Sequence, residues 1–116
     1  MEYMRNVDYK EFIIWFSGFW EGEGSVYIHP KQNSFWIEVC QSIDGKNKSK
    51  TVKECFLMIK RRFGGHIYEY SNPCKIVRWR CYRKKTTKMI CNEILPYLKI
   101  RKKEIKAILK VMNGKV

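Results

Sequence analysis

The 116-residue sequence has few acidic side chains, few histidines and no long apolar run. Asp and Glu total 11 against 24 Lys and Arg, which gives a formal net charge of +13. A chain with this charge repels itself, so an anionic partner such as DNA, RNA or an acidic membrane surface is expected. The longest apolar runs, such as Phe12–Phe16, are far shorter than the roughly 20 residues of a membrane-spanning helix. These absences favour a nucleic acid over a membrane as the partner.

Cysteine and histidine are also sparse in the patterns that bind metal or form disulfides. The five cysteines form no CxxC pair, and His29 and His66 are the only histidines. An odd cysteine count without a secretory signal favours reduced thiols, and the spacing argues against structural zinc. The charged N-terminus lacks the apolar segment of a signal peptide. We therefore expect an intracellular protein, in a prokaryotic cytoplasm or the organelle of its synthesis, that is not secreted.

Hydrophobic spacing predicts eight elements in the order α-β-β-α-β-β-α-α. Asp8 and Glu11 resemble a capping box that opens the first helix, and Gly22 and Gly24 are expected to end it. The lysine-rich segment 42–50, with a turn at Asp44-Gly45, is predicted as a loop. The other helices are expected near residues 51–63, 87–95 and 102–112, and the strands near residues 25–31, 34–41, 66–71 and 75–83. This pattern predicts one α+β domain over residues 1–116, with a four-stranded antiparallel sheet and helices on one face.

Helices on one face leave the other face of the sheet open. Residues out of phase with the apolar positions combine cations, hydrogen-bonding groups and aromatic rings, which is typical of a nucleic-acid surface rather than of a plain solvated one. Arginine binds guanine edges through two hydrogen bonds, and a two-stranded ribbon fits the major groove. Strands of about eight residues span roughly 26 Å, or about eight base pairs. The predicted DNA contacts are Tyr27, His29, Lys31, Ser34, Trp36, Glu38, Tyr68, Tyr70, Arg78, Arg80 and Tyr82, with phosphate contacts from Lys46, Lys48 and Lys50.

The segment "FSGFWEGEGS" (residues 16–25) sets two glutamates among small residues. Gly18 and Gly22, four apart with Ser17 beside them, allow two helix backbones to approach closely, which predicts a contact between two copies of the chain. Such a pair brings both copies of Glu21 and Glu23 together. Carboxylates beside DNA repel its phosphates unless a divalent cation lies between them, and such cations promote phosphodiester hydrolysis. Ser17, Gly18, Glu21 and Gly22 are the predicted dimer interface.

The same segment resembles the signature of LAGLIDADG homing endonucleases, with its small-residue pair, paired acids and alternating glycines. The predicted element order resembles that family's domain, with its saddle-shaped sheet, over nearly the whole chain. A single copy of the motif implies a homodimer rather than a pseudo-symmetric monomer. Both acids here are Glu, where Asp is the better-known residue.

The resemblance implies roles for individual residues. Glu23, the second acid, corresponds to the metal ligand, with the peptide carbonyl of Gly22 as a further ligand, whereas Glu21 supports the motif helix. Gln41 corresponds to a polar residue that contacts active-site water. Arg101 is the expected basic residue near the scissile phosphate, with Lys99 and Lys102 as alternatives. The implied metal is Mg²⁺; Mn²⁺ and Ca²⁺ fit the same ligands, Ca²⁺ without turnover.

These observations predict an intron-encoded homing endonuclease that cuts both strands of a pseudo-palindromic DNA site of about 20 base pairs as a homodimer. The runner-up is an RNA-binding intron maturase or a DNA-binding protein without cleavage activity. A basic structural protein of a ribonucleoprotein is a third reading, and it predicts binding without sequence preference.

Overall fold

In the computed structural model, which describes residues 8–43, 46–71 and 74–114, four helices pack on one face of a four-stranded sheet. The bounds in chain order are α1 Tyr9–Glu23, β1 Gly24–His29, β2 Ser34–Ser42, α2 Lys46–Phe63, β3 His66–Tyr70, β4 Ile76–Cys81, α3 Lys84–Ile94 and α4 Lys102–Met112. Short 3₁₀ turns at Pro30–Gln32 and Leu95–Tyr97 complete the connections. The predicted fold class and element order are confirmed.

The sheet has the strand order β1-β2-β4-β3, and every neighbouring pair is antiparallel. The second strand of each hairpin lies in the middle, so β2 and β4 pair with each other. Gly24 pairs with Val39 at one end of the first hairpin, and Glu38 pairs with Arg80 across the two central strands. Residues from both hairpins therefore meet at the centre of the sheet.

The core lies between the sheet and the helices and is rich in aromatic rings. Phe12 and Phe16 of α1 each lie 5.2 Å, centroid to centroid, from Phe63 of α2, and Phe16 packs edge-on against Trp79 of β4. The Trp79 indole N–H donates to the carbonyl of Gly64 at 2.8 Å. Because these large side chains are fully or almost fully buried, they fix the helix layer on the sheet.

Three predicted element starts need comment. The α1 start is confirmed, since the Asp8 carboxylate accepts a hydrogen bond from the Glu11 backbone N–H at 2.8 Å. The segment 46–50, predicted as loop, is helical, and so the expected start of α2 at Thr51 is wrong. Helix α3 begins at Lys84 rather than near Thr87. The expected turns at Asp44-Gly45 and Asn72-Pro73 lie outside the described residues.

Among the described residues, none of the helices combines the length and the apolar character that crossing a bilayer requires.

Candidate nucleic-acid interface and active site

The face of the sheet turned away from the helices carries a continuous group of rings. Trp36 on β2 stacks on Tyr27 of β1 with centroids 4.8 Å apart, and it also contacts His29 and Tyr82 at 5.3 and 5.8 Å. His66 of β3 contacts Tyr82 at 6.1 Å. The rings from three of the four strands and from Tyr82 beyond β4 therefore form one surface, which we call the aromatic face.

An ionic network lies at the centre of the aromatic face. Arg80 donates from Nε to Glu38 at 2.7 Å and from Nη1 to the Tyr82 hydroxyl at 3.1 Å, and its guanidinium lies 5.0 Å above the Trp36 ring. Arg78 is 3.6 Å from the other Glu38 oxygen. Glu38 is 4% exposed. One buried carboxylate thus holds two arginines side by side, which would otherwise repel each other.

Glu38 was predicted to contact DNA directly, and its burial argues against that role in the free chain. Its carboxylate instead pairs with the Arg78 and Arg80 side chains. Arg78 differs from Arg80, because its Nε is a buried donor with no acceptor in the described part of the chain. Arg78 therefore keeps more unused hydrogen-bonding capacity than Arg80.

The other predicted contact residues take several positions. Tyr68 and Tyr70 lie on β3 in phase with His66, and Arg78 lies over the Tyr70 ring at 5.3 Å. Lys31 is exposed in the turn after β1, and Ser34 begins β2 opposite His29. Lys50 is exposed on α2; the side chains of Lys46 and Lys48 lie outside what the structure describes. His66, a histidine with no predicted role, joins the aromatic face, and its alternation with Tyr68 and Tyr70 was the available signal.

At the junction of α1 and β1, Trp20 packs against Gly24. A Cβ on Gly24 would overlap the Trp20 ring and lie 2.5 Å from its Nε1. The Gly24 N–H caps the helix by donating to the Trp20 carbonyl. The glycine after the second glutamate is therefore required by a buried indole, not by a positive φ, since its φ is −101°.

Glu21 ties this junction to the segment before α4. Its Oε2 accepts hydrogen bonds from three successive backbone N–H groups, those of Lys99, Ile100 and Arg101, at 2.7, 2.6 and 3.0 Å. The carboxylate also lies at the N-terminus of α4, where the helix dipole favours a negative charge. Hydrogen bonding from the N–H of Ile100, supported by those of Arg101 and Lys99, lowers the pKa of Glu21 below its ordinary value.

Arg101, just before α4, also contacts the end of α1. Its Nη1 donates to the carbonyls of Trp20, Glu21 and Gly24 at 3.2, 3.4 and 2.7 Å, and its guanidinium lies 4.3 Å above the Trp20 ring. Nε and Nη2 each bind one oxygen of Glu104. Glu21 and Arg101 thus form a reciprocal clamp between the end of α1 and the start of α4.

The Glu23 side chain, in contrast, makes no hydrogen bonds of this kind with the described residues. Its side chain is exposed at the last position of α1, and none of the described residues donates a hydrogen bond to it. Gly22 beside it is also exposed. Arg101 binds the carbonyls of Trp20, Glu21 and Gly24 but not those of Gly22 and Glu23. The junction therefore presents a free carboxylate beside two backbone carbonyls that Arg101 leaves available.

Gln41 lies near this junction along the strands. The pairing of Gly24 with Val39 brings the end of β2 to the end of α1, and Gln41, partly exposed, lies two residues beyond Val39. Lys99 and Lys102 are exposed near the same junction, on either side of Arg101. The structure thus brings the predicted acid, polar residue and basic segment to one end of the sheet.

The predicted dimer surface is only partly exposed. Ser17 is 1% exposed and donates to the Ile13 carbonyl at 2.7 Å, so it faces its own core and not a second copy. A Cβ added at Gly18 or Gly22 would meet nothing within 4 Å. Ile14, one turn before Gly18, is 47% exposed. An apolar, small-residue strip therefore remains on the outer side of α1.

The donors at the junction suit a hard divalent cation, since a carboxylate and backbone carbonyls are oxygen ligands. In the described ranges no three His, Cys, Asp or Glu side chains come together to hold a metal ion. Among the described residues, the donors for a cation at Glu23 are thus its own carboxylate and the neighbouring backbone carbonyls.

The arrangement of four helices on one face of a β1-β2-β4-β3 antiparallel sheet is the fold of the LAGLIDADG homing endonucleases. The structure of I-CvuI in complex with the I-CreI target has a TM-score of 0.69 and 17% identity, with 90% of this chain and 67% of that chain covered. Archaeal intron-encoded I-Vdi141I, complexed with DNA, has a TM-score of 0.67 and 17% identity over 92% of this chain and 70% of that one. The resemblance seen in the sequence is thus confirmed at the level of the fold.

A third similar structure, LAGLIDADG homing endonuclease I-GzeII in complex with its DNA target, has a TM-score of 0.65 and 24% identity. That alignment covers 95% of this chain but only 38% of the I-GzeII chain. No protein-family model and no curated protein matches the sequence. Identities this low show a shared fold, and function must be argued from the site itself.

Proposed function

We propose that this chain is one subunit of a homodimeric, metal-dependent, site-specific DNA endonuclease of the LAGLIDADG homing type. One observation carries the proposal. The free carboxylate of Glu23 lies at the end of a clamped helix, directly before β1 of the sheet that carries the aromatic face. A carboxylate turned toward phosphates costs binding energy in a pure binder, whereas a hydrolase uses it to hold a cation.

DNA is the partner that the aromatic face supports. Arg78 and Arg80 supply donors for base edges in the major groove, and the excess of lysine supplies phosphate contacts that orient the duplex. The I-CvuI, I-Vdi141I and I-GzeII structures named above are complexes with DNA. We infer that each subunit lays its sheet along one half of a pseudo-palindromic site.

A divalent cation, Mg²⁺ in the reaction, would be held by Glu23 and the carbonyl of Gly22. The other ligands would come from a second copy of the chain and from the DNA phosphates. I-CvuI was solved with the I-CreI target in 2 mM Mg, where the DNA is not cleaved, and with its own target in 2 mM Ca. When bound, the cation supplies a polarised water and neutralises charge on the phosphate.

The remaining work falls to this chain's own residues. The clamp of Glu21 and Arg101 fixes the backbone that carries Glu23, because it binds the last turn of α1. Gln41 orients water by hydrogen bonding, and a cation from the segment Lys99–Lys102 faces the scissile phosphate. The outer strip of α1, with Gly18 and Gly22, contacts the second copy and brings both Glu23 carboxylates to the centre of the site. By the family resemblance, cleavage leaves short 3′ overhangs.

The experiment uses a duplex made by joining the two exon sequences that flank the intron around the coding region, here called the joined-flank duplex. An intron-encoded homing enzyme cuts such a junction, so a double-strand break with Mg²⁺ and none with EDTA is expected. Light scattering of the complex should give two protein chains per duplex. Specific binding without cleavage would instead indicate an inactive DNA-binding protein. Tighter binding to the intron RNA than to the duplex would indicate a maturase. Equal binding to random DNA would indicate a structural protein.

A further inference from the structure

We propose that Arg101 is a positioning residue, held by Glu104 as the cap of the α1 C-terminus, and that Lys99 is the cation that contacts the scissile phosphate. The second half rests on the proposed function. The first half concerns the free chain and is tested without cleavage.

The guanidinium of Arg101 is already committed. All three of its nitrogens donate to acceptors in the same chain: Nη1 to three carbonyls at the end of α1, and Nε and Nη2 to the two oxygens of Glu104 at 2.6 and 2.7 Å. The Arg101 side chain is 21% exposed and stacks on a Trp20 ring that is fully buried. To reach a phosphate, Arg101 would have to abandon these bonds and uncap the helix that carries Glu23.

Glu104 makes this arrangement durable. A fork of two parallel N–H···O bonds fixes the plane of a guanidinium as well as its position. Glu104 is three residues from Arg101 and lies in the first turn of α4, where an acidic side chain also favours the helix. Because both Glu104 oxygens bind Arg101, they hold Nη1 against the carbonyls of Trp20 and Gly24.

Lys99 has the opposite properties. Its backbone N–H is bound by Glu21 at 2.7 Å, which fixes its main chain at the end of α1. Its side chain is exposed and makes no ion pair within the described residues. A flexible four-carbon stem with a compact charge then suits a phosphate. Lys103 is equally exposed, but no main-chain bond to Glu21 fixes it, so it serves as the matched control.

The first arm measures hydrogen exchange in the metal-free, DNA-free chain. Glu104→Gln and Arg101→Lys should speed exchange of the Gly24 N–H, which caps α1, by about tenfold or more, with core amides such as that of Ile37 unchanged. Lys99→Ala should leave the Gly24 N–H unchanged. Equal acceleration of exchange at Gly24 and Ile37 would show only global destabilisation of the chain. Unchanged exchange at Gly24 would show that Arg101 does not cap α1. Either result overturns the positioning role.

The second arm measures single-turnover cleavage of the joined-flank duplex, with affinity measured in Ca²⁺. Lys99→Ala should lose about 10²-fold or more in maximal rate, and Lys103→Ala should change by less than about threefold. Glu104→Gln should raise the Mg²⁺ concentration for half-maximal cleavage, because the backbone that carries Glu23 is less well held. If Arg101→Lys lowered the maximal rate with the Mg²⁺ dependence and the Gly24 exchange unchanged, Arg101 would be the phosphate contact and the proposal would be wrong.

The two arms separate this proposal from the proposed function. A wild-type chain that fails to cut with Mg²⁺ overturns the endonuclease and the role of Lys99 together. The exchange measurement still decides the positioning role of Arg101 and Glu104.

Discussion

Gly24 and Trp20 lie so close together that no side chain fits at position 24, because a Cβ there would lie 2.5 Å from the indole Nε1. Trp20 is fully buried and is also in contact with the Arg101 guanidinium, so it has no room to withdraw. We expect Gly24→Ala to destabilise the chain by about 1–3 kcal/mol through overpacking. Urea unfolding followed by tryptophan fluorescence measures the change.

Gly18→Ala is the matched control for that substitution. Gly18 is a helix-interior glycine whose added Cβ meets nothing within 4 Å, so the alanine should stabilise the folded chain by about 0.5–1 kcal/mol. The comparison is made at a protein concentration where each variant is monomeric, because assembly adds to apparent stability. Equal losses for both variants would contradict the contact between Gly24 and Trp20.

Removal of the Glu38 carboxylate should destabilise the sheet. Glu38→Ala leaves Arg78 and Arg80 adjacent without an anion, and we expect a loss of about 1–3 kcal/mol, less than for a fully buried pair because both arginines are partly exposed. Glu69→Ala is the control, since Glu69 of β3 forms an exposed ion pair with Lys53 of α2 and its loss should cost less than about 1 kcal/mol. Thermal unfolding distinguishes the two, and a smaller loss for Glu38→Ala would contradict its central role.

The separation of cleavage from binding follows from the exposure of Glu23. Glu23→Gln removes the free carboxylate and keeps its shape, so detectable cleavage of the joined-flank duplex should disappear while affinity stays within about threefold. Glu11→Gln, an exposed acid in the first turn of the same helix, should cut at the wild-type rate. Normal cutting by the Glu23 variant with Mg²⁺ present would make the assignment of the metal ligand wrong.

Salt should weaken DNA binding steeply, because lysine and arginine contacts release counterions from the phosphates. For a surface that makes six or more phosphate contacts, affinity should fall about 10³-fold or more between about 50 and 200 mM salt. Fluorescence anisotropy with a labelled duplex gives the slope. A nearly flat dependence would show that the basic surface is not what contacts DNA.

The cysteines should differ sharply in reactivity. Burial, with a smaller effect from the neighbouring Cys81, raises the pKa of Cys91 to about 12, so almost none of it is thiolate at pH 8. Cys74 is exposed. Iodoacetamide should therefore label Cys74 in the folded chain and Cys91 only in denaturant, as peptide mass spectrometry would show. Early labelling of Cys91 would contradict the packing of α3.

The sequence predicts those parts of the fold that depend on local periodicity. The alternation in β2 and β4 and the helical spacing of Phe12 and Phe16 follow directly from which face is buried. The start of α2 at Lys46 carries no apolar periodicity, because its first turn is polar, and lysine is compatible with both loop and helix. Element identity was therefore predictable, whereas this boundary was not.

The site is predictable only in part, for a different reason. The paired acids Glu21 and Glu23 stand out within ten residues of sequence, but their different environments do not. Glu21 meets backbone donors some 80 residues away, and Arg101 caps a helix 81 residues distant from it. Likewise the burial of Glu38 depends on the pairing of two hairpins. Such contacts exist only once the chain is folded, so no local pattern reports them.

The carboxylate of Glu21 grips its distant segment entirely through main-chain amides. Every amino acid except proline carries that donor, so the contact does not depend on which side chains stand at positions 99 and 100. Lys99 and the exposed Ile100 can therefore be substituted without loss of the contact between Glu21 and this segment. The fold thus combines a rigid contact between α1 and the segment before α4 with two adjacent positions, 99 and 100, whose side chains are free to vary.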